Sequence, residues 1–341
     1  MTGRLAITRC HGALSLQDGG RRGYQRYGLS VSGAMDRLAM ATANALVGNA
    51  VDAPVLEFGL GGGRFVVEAG RGWFASAGAP CPLRIDGMPI AGHRTMTLAE
   101  GTELEVAPPS EGTFVYLAVA GGFGAHSLLG SVSLHLRAGI GGAEGRLFRS
   151  GDGLAFTATE YAAPGDRTVD AVPLDRNASI RVMLGPQAES FTKSGIDTLL
   201  GSPFTVSHRA DRMGYQLDGP AIAHGEGGYN IVSDATVAGS IQVPGNGLPI
   251  VLMADRQTTG GYPKIATVIS ADLRRLAQSR PGDPIRFEAV TLATAREAAL
   301  ERQRAIADLP GRLRRLAGLD VERLFRANLA GQAVDALGES P

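Results

Sequence analysis

Short strand-like runs, some alternating and some apolar throughout, recur along this chain, at Arg64 to Ala69, Thr95 to Leu98, Glu103 to Ala107, Thr113 to Ala120, Ile180 to Leu184, Ile250 to Ala254 and Ile285 to Ala289. Gly, Pro or Asp bounds most of them, and a period of two between turn formers is the signature of strands. The clean alternation of Glu103 to Ala107 and the turn signals between Val67 and Gly92 predict antiparallel strands with one buried face, closing into a barrel. Helical spacing is scarcer. Ser32 to Val47 places apolar residues three and four apart, with Ser32 as the expected N-cap and Gly48 as the stop. Ala293 to Asp308, rich in Ala, Glu and Arg and ended by Pro310 and Gly311, predicts a second helix, and a short helix is expected after Leu319.

The class is therefore mainly β with a few helices. With 48 glycines in 341 residues, the chain has about twice the usual share, and without a collagen-like period this means many tight turns. Thr159 to Asn177 lacks periodicity and mixes Pro, Gly and charge, so it marks the expected boundary between a first domain, 1–160, and a second, 178–290. Residues 291–341 form a C-terminal helical extension. Two weak self-similarities straddle that boundary. RSGDGLAF (149–156) resembles RPGDPIRF (280–287), and VYLAVAGGF (115–123) resembles VLMADRQTTGGY (251–262), as duplicated barrels would, although matches this short also arise by chance.

Lys plus Arg and Asp plus Glu both number 33, so no net field draws the chain to nucleic acid or anionic lipid. The first twenty residues lack the apolar core of a signal peptide, and no stretch approaches the ~18 apolar residues of a membrane helix, which leads us to expect a soluble cytoplasmic protein. Cys10 and Cys81 read as reduced core residues. There is no Gly-Lys pair for a phosphate-cradling Walker loop and no G-x-S-x-G nucleophile elbow. FGLGGGRF lacks the last glycine of a dinucleotide fingerprint and reads as a turn. The histidines at 11, 93, 126, 135, 208 and 224 show no metal-ligand spacing, so no metal site is expected.

Three polar, glycine-rich segments remain. In Gln17 to Asp36, Arg21, Arg22 and Arg26 lie before a helix start, which fits either an ordered loop or an anion site. In Ser207 to Pro220, Arg209, Asp211 and Arg212 can pair, either as a plain surface ion pair or so that one guanidinium is held while the other meets a carboxylate or phosphate. The third, Gly239 to Val268, is the richest. The apolar run PIVLMA delivers Asp255, Arg256, Gln257, Thr258 and Thr259 to its end, followed by Gly260, Gly261 and Lys264, with Gln242 and Asn246 on the preceding segment. Such a strand end suits recognition of an oxygen-rich small molecule, or else a tightly hydrogen-bonded turn between barrels.

SGAMDRLAMATANALVGN with the following APVLEF, then LRAGIGG, RADRMGYQLDGP and GSIQVPGNGLPIVLMADRQTTGGYPKIATVISADL, resemble in that order the KipA/PxpC family. This is the biotin-dependent carboxyltransferase-like, or allophanate hydrolase subunit 2, family that includes the C subunit of bacterial 5-oxoprolinase and matches part of urea carboxylase. The resemblance implies two cyclophilin-like β-barrel domains, a KipI/PxpB-like partner and a PxpA-like lactam-utilisation partner. It also implies ATP-dependent opening of 5-oxoproline to glutamate, with ATP on this chain or shared with the partner. No biotin-attachment Met-Lys-Met is present, so no covalent biotin is expected on this chain. The alternatives are a carboxyltransferase component of a biotin-dependent urea or amide carboxylase, and a non-catalytic KipA-like regulator of a kinase inhibitor. On residue type, Arg212 and Arg256 would neutralise carboxylate or phosphate, Lys264 would steady an oxyanion, Asp211 or Asp255 would orient these cations, and Gln242 would read the carbonyl. Asn246, Gln257, Thr258, Arg21 and Arg26 complete the candidate substrate contacts. Val132, Leu134 and His135 depart from the family pattern, as more mildly does Ser233-Asp234-Ala235, and the first three point to an altered substrate if that segment touches ligand.

Overall fold

The computed structural model describes residues 2–158 and 165–316. Its longest strand is Thr2–Gln17, which pairs antiparallel with Val55–Ala69, Leu5 opposite Val67 and Leu16 opposite Leu56. Alternation at its two ends buries Leu5, Ile7, Leu14 and Leu16, while register shifts between them change the phase. The glycine run after Phe58 lies inside Val55–Ala69 and is no turn: a Cβ on Gly61 would sit 1.9 Å from the His11 carbonyl oxygen, and one on Gly62 would sit 2.1 Å from that of Val106. Backbones converge there at a bulge, and a strand glycine is what lets them approach.

Gly153–Thr157 pairs with the other edge of Thr2–Gln17. Glu103–Val106 and Phe114–Val119 share the far edge of Val55–Ala69, and Arg71–Gly78 joins Phe114–Val119 to Thr95–Ala99. A second sheet runs in the order Pro284–Ile285, Phe204–Ala210, Gly214–Asp218, Ile250–Leu252, Ser240–Gln242, Lys264–Val268, Ile180–Leu184 and Phe287–Ala289. Only Arg286 separates its first strand from its last along the chain, so this sheet closes on itself as a barrel and hides its edges.

Both Gly-Asp turns singled out in the sequence have one geometry. Asp152 Oδ2 accepts from Arg149 N at 2.7 Å and Asp283 Oδ2 from Arg280 N at 2.8 Å. Gly151 N donates to the Ile7 carbonyl and Gly282 N to that of Val206, each at 2.8 Å, with φ of 94° and 93°. The short sequence match thus marks a repeated structural unit that feeds the last strands of each sheet.

The helix Arg37–Val47 begins later than expected. Asp36 is its N-cap, accepting from Leu38 N and Ala39 N at 3.2 and 3.1 Å, because the hydroxyl of Ser32 is engaged elsewhere. Gly48 closes it at φ 78°. Leu38 to Val47 are all buried, and the helix is a wedge between the sheets. One core cluster fills the first sheet, through Leu5, Phe58, Phe65, Phe74 and Phe156. The other is continuous across both, uniting Met40, Leu46 and Tyr116 with Ile180, Val206 and Phe287. Helix Lys193–Gly201 is not foreshadowed by the hydrophobic pattern, the helix expected over Ala293 to Asp308 runs Leu292–Ala307 with Thr291 as its N-cap, and the helix expected after Leu319 lies outside the described residues.

Gln278 stitches the halves together. Its Oε1 accepts from Thr113 N and Phe114 N at 2.9 and 3.0 Å, and its Nε2 donates to Asp36 Oδ2 at 3.0 Å and to the Phe114 carbonyl at 3.1 Å. Arg280 adds bonds to the carbonyls of Ser110, at 3.0 Å, and Gly112, at 2.6 Å.

Candidate functional site

Asp211 sits at the bend between strands Phe204–Ala210 and Gly214–Asp218, where its Oδ1 accepts from Met213 N and Gly214 N at 2.7 and 3.2 Å. This Asx turn aims the next side chain, Arg212, across the joint. The guanidinium is fully engaged there. Nε and Nη2 each reach Asp255 at 2.9 Å, Nη1 meets Glu57, and Nη2 also donates to the Gly33 carbonyl at 2.7 Å. The expected Asp211–Arg212 pair is not made, and Arg212 is no free anion receptor, because Asp255 and Glu57 occupy its fork.

Glu57 is buried on Val55–Ala69 and also accepts from Met35 N at 2.9 Å and from the Tyr116 hydroxyl at 2.8 Å. Burial pushes its carboxyl up, against the pull of Arg212, and raises the Tyr116 phenol well above its usual value. Burial likewise lowers the Arg212 guanidinium, yet Asp255 and Glu57 outweigh it and raise the net value. Ser32, held at φ 57°, donates its one hydroxyl proton to Asp255 at 2.5 Å, with the Leu134 carbonyl oxygen 3.0 Å from the same hydroxyl. Val132 and Leu134 are buried apolar positions, whereas His135 joins this polar layer. Its Nδ1 accepts from Ala138 N at 3.3 Å, which leaves Nε2 to carry the proton and donate to Ser30 Oγ at 2.9 Å, and burial lowers the ring's pKa.

Beside this layer lies a cavity of about 780 Å³, bounded by residues 22–38, by residues 253–256 and 270–275 of the second barrel and by helix Leu292–Ala307, to which Ser32 contributes. Seven arginines line it: Arg181, Arg274 and Arg275 are paired with Asp272 or Asp36, and Arg22, Arg37, Arg256 and Arg302 have no carboxylate partner among the described residues. Arg256 is only 5% exposed, its Nε has no hydrogen-bond partner, and burial alone lowers its pKa, with no carboxylate near enough to oppose the shift. Of the three carboxylates on the wall, Glu301 on helix Leu292–Ala307 is exposed and makes no ion pair among the described residues, and the other two are engaged. Asp272 is clamped by Arg181 at 3.0 and 2.7 Å, and Asp175 caps the turn at Asn177 and Ala178. An unpaired buried cation is costly, so this wall is suited to an anionic ligand.

The other sequence-selected residues fall elsewhere. Lys264 is 1% exposed, its amine meets Asp234 at 2.8 Å, and it lines neither this cavity nor the shallower face on the second barrel, which does not fit the oxyanion role expected of it. That shallower face carries Asp211, Gln242 and Gln257, with the two amides bonded to each other at 2.9 Å. The Thr258 carbonyl accepts from Thr236 N at 3.0 Å, and Asn246 is exposed and caps Leu248 N at 3.1 Å. Arg21 is fully buried and clamps the carbonyls of Leu128 and Ser133, each at 3.0 Å, while Arg26 is exposed and stacks 4.8 Å over the Tyr27 ring. Sequence reasoning missed Glu57, Ser32, Arg37 and Arg302. Only Arg256 of the five candidate catalytic residues faces the large cavity. Among the described residues no group of three His, Cys, Asp or Glu is placed to hold a metal, and no helix is long and apolar enough to cross a membrane.

The carboxyltransferase domain, subdomain A and B, matches residues 27–289. The C subunit of Escherichia coli 5-oxoprolinase is 39% identical over 91% of this chain and 98% of its own length. The crystal structure of TTHA0988 superposes with a TM-score of 0.76 at 35% identity, over 84% of this chain and 56% of that one. The Kluyveromyces lactis urea carboxylase structure gives a TM-score of 0.82 at 26% identity, over 92% of this chain and 30% of that much longer one.

Proposed function

We propose that this chain, which belongs to the carboxyltransferase subdomain A and B family that contains the C subunit of 5-oxoprolinase, is one component of an ATP-dependent enzyme opening 5-oxoproline to glutamate. The observation that carries the reading is the buried guanidinium of Arg256, which has no counter-charge among the described residues, in the cavity roofed by helix Leu292–Ala307. 5-Oxoproline presents one carboxylate and one lactam, and Arg256 offers a planar fork that pairs with the carboxylate in a partly dry site. The lactam is a stable amide, and ATP bound to the assembled enzyme supplies activation of its oxygen, which turns a poor leaving group into a good one. The chain's own contribution is placement. Arg212 is a positioning residue: by holding Asp255 and Glu57 it fixes Ser32 at the cavity wall and anchors the residue immediately before Arg256. The guanidiniums present fit an oxyanion ligand in kind. A KipI/PxpB-like subunit and a PxpA-like lactam-utilisation protein are the partners this reading requires.

A second reading, a carboxyltransferase component acting with biotin on another chain, draws support from the likeness to urea carboxylase, at lower identity than to the oxoprolinase subunit. Reconstitution separates the two. The expected result is that the chain mixed with its PxpA-like and PxpB-like partners releases glutamate from 5-oxoproline only with ATP, and that release stops when this chain is omitted. Bicarbonate fixation onto an amide by a verified complex that releases no glutamate would transfer the assignment to biotin chemistry.

A further inference from the structure

The outer wall of the cavity is made by helix Leu292–Ala307, beyond residue 289 where the carboxyltransferase match ends. That helix brings Arg302 to Arg37, the first residue of helix Arg37–Val47. Arg302 is pre-aimed, with Nη1 donating to the Ser270 carbonyl at 2.9 Å and a buried Nε that has no partner. Arg37 makes one long bond, from Nη2 to the Gly19 carbonyl at 3.3 Å. Burial first, then repulsion by Arg22 and Arg302, lowers its pKa, and Asp18 and Asp52 offset this only in part. Asp18 is itself committed, accepting from Ser131 and Ser133 hydroxyls and from Gly20 N and Val132 N.

We propose that Arg37 and Arg302, with Arg22 at the mouth and Arg256 opposite, form a subsite for the phosphoryl group of a ligand, completed by a helix outside the carboxyltransferase domain. A carboxylate has two oxygens and one charge, whereas a phosphoryl group spreads up to two charges over three acceptor oxygens and so satisfies several convergent guanidiniums at once. The fixed anchor of Arg302 on Ser270 removes part of the ordering cost of binding. Free phosphate and the terminal phosphates of a nucleotide share this chemistry. The inference rests on reading this cavity as the substrate site, since both ligands use its walls.

Calorimetric titration of the full chain with inorganic phosphate and, separately, with ATP tests it, at fixed ionic strength and with chloride as the control anion. Saturable binding is expected, weakened about tenfold or more in Arg302→Gln and in Arg37→Gln, but within about twofold of wild type in Arg304→Gln, an exposed cation on the same helix. Tighter binding of ATP than of phosphate assigns the site to a nucleotide, and equal binding assigns it to free phosphate. No saturable binding of either, or equal weakening in the Arg302 and Arg304 variants, overturns the proposal. The Arg37 variant carries the test if Arg302→Gln fails to fold. Phosphate binding that survives in a complex inactive on 5-oxoproline would remove the oxoprolinase reading and leave the subsite standing. Turnover without phosphate binding would do the reverse.

Discussion

At the scale of single residues, the same side chain type does opposite work a few positions apart. Arg212 is saturated by Asp255, Glu57 and a backbone carbonyl, whereas Arg256 is buried without a counter-charge. Removing each should therefore differ in sign. Arg212→Ala strands two buried carboxylates and is expected to cost about 3–5 kcal/mol in denaturant unfolding, with Lys a poor substitute because it lacks the fork. Arg256→Gln relieves a desolvated charge, so thermal unfolding should be unchanged or raised. Asp255 and Arg256 were visible in the sequence as a polar run at the end of an apolar strand. Glu57 was not, because one polar residue in VLEF reads as ordinary alternation and its partner lies far along the chain. Burial pushes the Cys81 thiol up to about 11, so alkylation by iodoacetamide at pH 8 should be at least about tenfold slower than for free cysteine. A rate matching the free thiol would show that Cys81 is not buried.

At the scale of elements, the strands from Thr95 to Val106 and Ile180–Leu184 were legible through alternation, and Phe114–Val119 as an unbroken apolar run, each bounded by turn formers. Thr2–Gln17 was not, since its bulges shift the phase of burial at Arg4, Ile7 and His11. Ser32 looked like a cap because serine usually is one, but tertiary bonds to Asp255 and Leu134 claimed its hydroxyl. A similar long-range tie fixes the two-stranded ribbon Asp234–Ala235 with Thr259–Gly260, through Lys264 and Asp234. The Lys264 ammonium, with Ala235 N and Gln187 adding to it, holds the Asp234 carboxyl below the usual carboxylate range. Its stabilisation is present above the unfolded-state value and is lost as pH falls through the folded one. Asp234→Asn should thus lower the melting temperature most near neutral pH, with the gap from wild type closing below about pH 4. A gap independent of pH would assign the loss to packing instead.

At the scale of the whole molecule, the joint between the sheets holds the polar layer and the arginine cavity lies beside it, so fold and site are coupled. The repeated Gly-Asp turns hinted at the two-sheet plan, but nothing local announced that Gln278 and Arg280 would reach back to residues 109–114. Gln278→Ala leaves the Thr113 and Phe114 amides without this acceptor, each worth about 1–3 kcal/mol where water cannot replace the bond, while Asp36 keeps Arg274 and the Phe114 carbonyl keeps Ala79 N. A single calorimetric transition shifted several degrees down is expected, because the core cluster runs through both sheets. Two separated transitions would contradict a shared core.

The central claim is that Arg256 holds the carboxylate of 5-oxoproline. Steady-state glutamate release by the reconstituted complex should therefore be compared between wild type and Arg256→Gln, with assembly and melting temperature checked in both. A KM for 5-oxoproline raised by about tenfold or more, equivalent to losing ~1.4 kcal/mol or more of binding, in a complex that still assembles, is the expected result. Unchanged kinetics in the Arg256→Gln complex would contradict the account.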